Sequence, residues 1–341
     1  MGDRIIVVGA SLSGIDALRE LLGYLPADFP APILITQHVA PHSPGLLPQI
    51  LTAAGKLQVA FPKNPEHIQK GRIYIAPPDR HMLVEKGYVR LSHGPHENCA
   101  RPAIDPLFRS AALAYGPAVV GVVLTGQLDD GTAGLLAIKD QGGTTIVQEP
   151  MEAAARSMPV SALRHVKIDH RCKLAEMGPL LTKLAQDDPE AFAPESRALL
   201  AIENRMAQGI VNIDDWWLFE QMSKPSGLNC PECRSALYEV QEARLVRFRC
   251  RSGHGYSALS LLSGQSDARE AMTSGIFGAL IEEVTLAKRL RDNPAYASES
   301  YIEGGLAARI EILEKEGAQV AGWLQALTGL VEVEFQEPPA S

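Results

Sequence analysis

Cysteine is scarce in this sequence: five residues among 341 cannot make the dense disulfide framework of a small secreted scaffold. Positive charge is also in short supply. With 32 Lys and Arg against 40 Asp and Glu, the formal net charge is −8, and no basic cluster stands ready to displace counterions from a nucleic-acid backbone. Long apolar runs are missing as well. The N-terminal RIIVVGA is far too short for a signal h-region, and no later stretch reaches the roughly 20 apolar residues of a bilayer span. These absences argue against nucleic-acid partners and direct membrane insertion, and they predict a cytoplasmic protein. What is present is a 46% hydrophobic composition, sufficient for a sizeable core, in a chain with room for one ordinary domain and something smaller.

From Arg4 to about Ala185, short β-branched runs alternate with helical periodicities. RIIVVGA is followed by Ile15, Leu18, Leu21 and Leu22 at helical spacing, then by APILITQ and a helix at SPGLLPQILTAAG, with Ser43 placed to cap, Pro44 at its first position and Gly55 at its end. Further strands are predicted at LQVAF, RIYIAP, AVVGVVLTG and TTIVQ, and a hairpin turning at Lys86-Gly87 in HMLVEKGYVRLS. Strands alternating with helices predict an α/β fold with a doubly wound, mostly parallel sheet. The acidic, proline-containing QDDPEAFAPES then reads as a linker. The division that follows is a catalytic domain over 1–186, a linker with short helices over 187–223, a cysteine-bearing β module over 224–263, a helical hairpin over 264–330 and a loose tail over 331–341. In the hairpin, Leu306, Ile310, Leu313, Gly317, Val320, Leu324 and Leu327 recur at spacings of four and three. They form a seam for an intramolecular partner helix, with a self-association or partner-docking surface as the alternative.

The stretch VVGASLSGIDAL poses a choice between a loop that cradles a phosphate and one that presents a nucleophile. Gly9-x-Ser11-x-x-Gly14 has lost the second glycine of the dinucleotide fingerprint, the one that lets backbone approach a pyrophosphate. The acid that should close the next strand and hold a ribose is His38 instead. The nucleotide reading thus fails on two points. In an open parallel sheet, reactive groups gather after the carboxyl ends of several strands, and here Ser11 follows RIIVVGA, His38 follows APILITQ, and Asp129-Asp130 follow AVVGVVLTG. Hydroxyl, imidazole and carboxylate are the three roles of a Ser/His/Asp hydrolase. Ser11 also opens a helix, whose free N–H groups could stabilise an oxyanion. The order Ser, His, Asp and the absence of a complete GxSxG elbow set it apart from the α/β-hydrolases.

GASLSGIDAL, QHVAPHSPGLLPQIL, KGRIYIAPPDRHMLV, RPAIDPLFRSAA, VVLTGQLDDGTAGLLAIKDQGGTTIVQ and SMPVSAL resemble, in order and spacing, the catalytic domain of the chemotaxis receptor methylesterase (CheB) family, over roughly Arg4 to Ala185. The resemblance implies Ser11 as nucleophile, His38 as base and Asp130, the residue directly before Gly131, as acid. It implies hydrolysis of glutamate methyl esters on the cytoplasmic helices of methylated chemoreceptors, with glutamine deamidation as a second activity and no cofactor for catalysis. Family members commonly carry an N-terminal receiver domain, and with Met1 three residues before the first catalytic strand a receiver-less form is expected. The family usually reads GASTGG and LTGMG-x-DG, so Leu12, Ser13, Gln127 and Leu128 depart from it. Those departures favour the alternative, a catalytically weak scaffold of the same fold that docks on receptor or signalling proteins.

Cys230-x2-Cys233, sixteen residues, then Cys250-x3-His254 supplies three thiolates and one imidazole, a complete tetrahedral set for a structural zinc in a ribbon-like module. Lying beyond the linker, this module is expected to act independently of the hydrolase. Cys99 and Cys172 stand alone as ordinary thiols. His42 is expected at the surface, Asp79 and His81 in a loop-organising role, and Arg101 and Asp105 either paired with each other or contacting a substrate, with a structural role favoured.

Overall fold

The computed structural model describes residues 4–193, 197–210, 212–242, 244–294, 296 and 300–328. The tail at 331–341 lies outside these. Residues up to Leu261 form one compact unit, and the described residues from Leu262 onward form a second.

The first unit opens with β1 (Ile5–Ala10), α1 (Gly14–Gly23), β2 (Ile33–Gln37), α2 (Leu47–Thr52), β3 (Gln58–Ala60), β4 (Glu66–His67) and β5 (Arg72–Ile75). It continues with β6 (His81–Glu85), β7 (Tyr88–Ser92), α3 (Ile104–Tyr115), β8 (Val119–Val123), α4 (Thr132–Asp140), β9 (Thr144–Gln148), α5 (Ser157–His165), β10 (His170–Cys172) and α6 (Leu174–Gln186). Seven strands make one parallel sheet in the order β10-β9-β8-β1-β2-β5-β3. Helices cover both faces, as the period-2 alternation of strand side chains requires. Ile6, Val8 and Ala10 of β1 enter a core with α1, α2 and α6, while Ile5 and Val7 enter another with α3, α4 and α5. The β6–β7 hairpin turns at Lys86-Gly87, with Gly87 in the left-handed region, and pairs with β4 in a small antiparallel sheet.

One helix starts later than its capping signals suggest. Ser43 and Pro44 precede α2 instead of opening it, because Gly45 at φ 73° interrupts the helix and Pro48 takes the position near its start.

Beyond α6, α7 (Ala198–Ala207) and α8 (Ile213–Gln221) lead to β11 (Ser223–Asn229), β12 (Ala236–Val240), β13 (Arg247–Cys250) and β14 (Gly255–Ser257), an antiparallel sheet in sequence order. This sheet has its own small core of Leu237, Phe248, Tyr256 and Leu261. It is tied to the α/β layers by buried ion pairs. Glu97, in the loop before α3, accepts from Arg109 of α3 at 2.6 Å and from Arg249 of β13 at 3.2 Å. Glu203 of α7 accepts from Arg247 at 2.7 Å and Arg249 at 3.1 Å. All but Arg247 are about 2% exposed. Burial works against ionisation of Glu97, but Arg109 and Arg249 hold its carboxyl below the ordinary range. Charges buried this deeply persist only when paired, so they lock α3, α7 and β13 in one arrangement.

The second unit carries most of α9 (Ala258–Arg291) and α10 (Ser300–Thr328). Ile310, Leu313 and Val320 are buried, and Lys288–Glu314 and Arg309–Glu283 ion pairs bridge the two helices. The apolar seam of α10 is therefore used within the chain, in the hairpin that its spacing predicts.

Candidate active site

Three neighbouring strands of the sheet, β8, β1 and β2, deliver Asp130, Ser11 and His38 to one edge. Parallel strands all release their chains at the same edge, which is why residues 27 and 92 positions from His38 meet there. Ser11 Oγ lies 3.0 Å from His38 Nδ1, and His38 Nε2 lies 2.7 Å from Asp130 Oδ2. An ionised carboxylate only accepts, so Nε2 carries the proton and Nδ1 is left as the lone pair that receives the Ser11 hydroxyl. A cleft of about 430 Å³, lined in part by Ser11, Leu12, Ser13, Gln37 and His38, opens over this pair.

Asp130 is 3% exposed and receives five hydrogen bonds. Oδ2 accepts from His38 and from Ile104 N at 2.7 Å; Oδ1 accepts from Asn98 Nδ2 at 2.8 Å, Asp105 N at 3.2 Å and Gly131 N at 2.9 Å. The Ile104 and Asp105 amides open α3, so the carboxylate sits at a helix N-terminus. Burial would raise its pKa, but the His38 hydrogen bond and charge, with the Ile104 and Asn98 donors, hold it below the usual carboxylate range. Asp105 is driven the opposite way, upward, by burial and by the Asp130 charge. Two adjacent carboxyls are thus split, with the ionised one facing the imidazole.

Asp129 takes no part in this chain. It accepts from Ser257 Oγ, and burial pushes its carboxyl up to about 6.

Residues that motif reading passed over complete the frame. Gln37 Nε2 donates to Ser11 O at 2.8 Å and to His38 O at 3.0 Å, clamping the nucleophile loop to the base. Gly14 makes room for it, since a Cβ there would lie 2.1 Å from Gln37 Oε1. An amide side chain ending a buried strand was the available signal. Thr125 accepts the Ser11 N–H through its carbonyl at 3.0 Å and donates its hydroxyl to Leu12 O at 3.1 Å. Ser13 and Leu128, two departures from the family pattern, both stand at φ 58°. Glycine is at ease there, and an L side chain costs about 1–2 kcal/mol; the loop geometry persists in spite of the replacements.

The remaining polar candidates are structural. Arg101 pairs with Asp79 at 2.6 Å and not with Asp105, which instead accepts from Gly131 N and Gly134 N. His42 is exposed. His81 is buried, donating from Nε2 to Pro95 O at 2.9 Å and accepting from Ala103 N at Nδ1, and burial lowers its pKa to about 4. The unfolded chain takes up a proton near pH 6.5, so His81 contributes stability above that pH that is lost as pH falls towards 4. The stability difference between wild type and His81→Gln, measured by urea unfolding, is expected to shrink by roughly 2–3 kcal/mol between pH 7 and pH 4.

Cys230 and Cys233 lie in the β11–β12 turn, Cys250 ends β13 and His254 lies in the β13–β14 turn, with their four ligand atoms all within 4.8 Å of one another. Cys233 Sγ and Cys250 Sγ are 3.6 Å apart, and Cys250 Sγ is 3.4 Å from His254 Nδ1. Ligand atoms placed tetrahedrally at about 2.3 Å from a metal lie about 3.7 Å apart, so the cluster can hold a metal ion. A second layer supports it: Glu232 meets His254 Nε2 at 3.3 Å, and Tyr256 OH lies 3.2 Å from Cys230 Sγ.

Residues 6–181 match the CheB methylesterase family model. A protein of Leptospira interrogans is 37% identical over 191 residues, 56% of this chain and 99% of that protein. A protein-glutamate methylesterase/protein-glutamine glutaminase of Anaeromyxobacter dehalogenans is 38% identical over 183 residues, 54% of each. The crystal structure of the Thermotoga maritima CheB methylesterase catalytic domain superposes with a TM-score of 0.52 at 31% identity, covering 54% of this chain and all of that one.

Proposed function

The chain belongs to the CheB methylesterase family, and on that premise we propose that Ser11, His38 and Asp130 hydrolyse glutamate methyl esters on the cytoplasmic helices of methylated chemoreceptors. The unbroken hydrogen-bond chain from Ser11 Oγ through His38 to Asp130 carries this reading.

Ser11 Oγ attacks the ester carbonyl carbon while His38 Nδ1 takes the hydroxyl proton, and Asp130 stabilises the imidazolium through Nε2. The Ser11 N–H is committed to Thr125 O and the Gly14 N–H to Ser11 O. The Leu12 and Ser13 amides, at the positive end of α1, are the groups suited to the tetrahedral oxyanion. Collapse expels methanol, which leaves with the proton from His38. Water, activated by the same nitrogen, then releases glutamate and restores Ser11. With a glutamine side chain the leaving group is ammonia, and no cofactor enters either sequence. Among the described residues no helix is long and apolar enough to cross a membrane. Action in the cytoplasm, on the receptor's cytoplasmic part, belongs to the same proposal, as does the division into a catalytic domain over 1–186 and a metal module over 224–263. Methanol release from a methylated receptor fragment tests the reading directly; none from intact protein ends it.

Zinc is the metal we assign to Cys230, Cys233, Cys250 and His254, since three thiolates and an imidazole suit it and leave no open position for substrate. The purified protein is expected to contain about one zinc per chain, and Cys250→Ser to lose it, by elemental analysis. Metal-free protein from a zinc-replete preparation would remove this assignment.

A further inference from the structure

Asn98 stands between the triad and the C-terminal sheet and is bonded to both. Its Nδ2 spends one hydrogen on Asp130 Oδ1 at 2.8 Å and the other on Asp105 Oδ2 at 2.9 Å. Its Oδ1 accepts from Ser257 N at 2.9 Å and Ser260 Oγ at 2.8 Å. The backbone is held too. Asn98 N donates to Gly255 O at 2.8 Å, Gly255 N donates to His96 O at 3.2 Å, and Glu97 pairs with Gly255 as a parallel bridge. The loop that carries Asn98 is thereby joined to the start of β14 by an isolated bridge. One residue before β14 is His254, whose partner Glu232 also meets His96 Nδ1 at 2.6 Å.

The geometry points to Asn98 as a positioning residue for the triad, held in place by the C-terminal sheet, so that efficient hydrolysis requires that sheet to be docked. An amide side chain has one face of donors and one of acceptors. Here the acceptor face is occupied by Ser257 and Ser260 and the donor face by the two acids, so its orientation is fixed from the module's side. A carboxylate pinned in this way presents Oδ2 to His38 in one geometry, which selects the imidazole tautomer that Ser11 needs. The inference rests on the hydrolase reading of Ser11, His38 and Asp130 but not on the identity of the substrate.

Asn98→Asp separates the two faces. It is isosteric, and Asp is among the residues that accept the φ of 51° found here. It keeps an acceptor for Ser257 and Ser260 while replacing the two amide donors by at most one carboxyl proton. In the full-length protein, labelling of Ser11 by an alkyl fluorophosphonate and kcat for the methylated receptor fragment are both expected to fall about 10- to 100-fold, with KM little changed. Hydrogen exchange at 247–257 reports whether the sheet stays docked. Labelling at the wild-type rate overturns the inference. Should Asn98→Asp undock the sheet, Ser260→Ala decides: it is expected to slow labelling several-fold from the module's side, and an unchanged rate overturns the inference. If wild type labels at Ser11 but releases no methanol, the substrate reading fails and the labelling comparison still stands.

Discussion

Ser11→Ala is expected to lower turnover by roughly 10⁴- to 10⁶-fold, with unfolding behaviour close to wild type. The bond to the substrate is made by Oγ, and among the described residues no other hydroxyl is hydrogen-bonded to His38. The turn itself is held by groups the substitution does not touch, since Gln37 Nε2 binds the Ser11 carbonyl and Thr125 O binds its N–H. His38→Ala should match it, because a hydroxyl without its base is a poor nucleophile. The double variant is expected to be no worse than either single one, as groups acting in one step are not additive. Single-turnover kinetics on the methylated receptor fragment separate these outcomes. Near-normal turnover in Ser11→Ala would end the serine-hydrolase assignment, and additive losses would separate Ser11 from His38.

Asp130→Asn is expected to cost about 10⁴-fold in kcat, and Asp129→Asn only a few-fold. The severity comes from the direction of one hydrogen bond. An amide at 130 that keeps its oxygen on Ile104 N still accepts from Nε2 but lacks the charge that stabilises the imidazolium, and its NH2 then faces three donors, Asn98 Nδ2, Asp105 N and Gly131 N; turned the other way it donates to Nε2 and places the imidazole proton on Nδ1, facing Ser11. The first orientation loses the charge and the second loses the lone pair that should receive the Ser11 proton. Asp129→Asn, in contrast, retains an oxygen to accept from Ser257 Oγ. A pH–rate profile adds a check: the Asp130 carboxyl is held low by His38 and the α3 amides, so its protonation is expected to leave the neutral range untouched. Equal losses in both variants would count against Asp130 as the orienting acid.

Much of the site was legible because it follows from topology. A reactive residue directly after a β-branched run in a parallel fold must lie at one edge of the sheet, and Ser11, His38 and Asp130 are such residues. The choice between Asp129 and Asp130 came from family resemblance, since either carboxylate satisfies the strand-end rule. Arg101 illustrates what periodicity cannot supply. Its partner, Asp79, is 22 residues away, brought near by the β6–β7 hairpin, whereas the nearer Asp105 turns inward to the amides of Gly131 and Gly134. Asn98 was invisible for a related reason. Its meaning lies in Ser257 and Ser260, 159 and 162 residues further on, and nothing local to ENCARP distinguishes it from an ordinary turn residue. The ribbon spacing Cys-x2-Cys and Cys-x3-His foretold a compact cluster, yet not the ionic seam that fastens it to α3.

That seam also bears on how the protein comes apart. Glu97, Glu203 and Glu242 balance Arg109, Arg247 and Arg249 across segments distant in sequence. Peeling β13 away strands Glu97 with one guanidinium and Glu203 with none, inside surroundings too apolar to solvate either, and water must flood the gap before the charges can bear separation. Such a contact has no half-open form. The α/β layers and the cysteine-bearing sheet, each with its own apolar core, are thereby expected to unfold together.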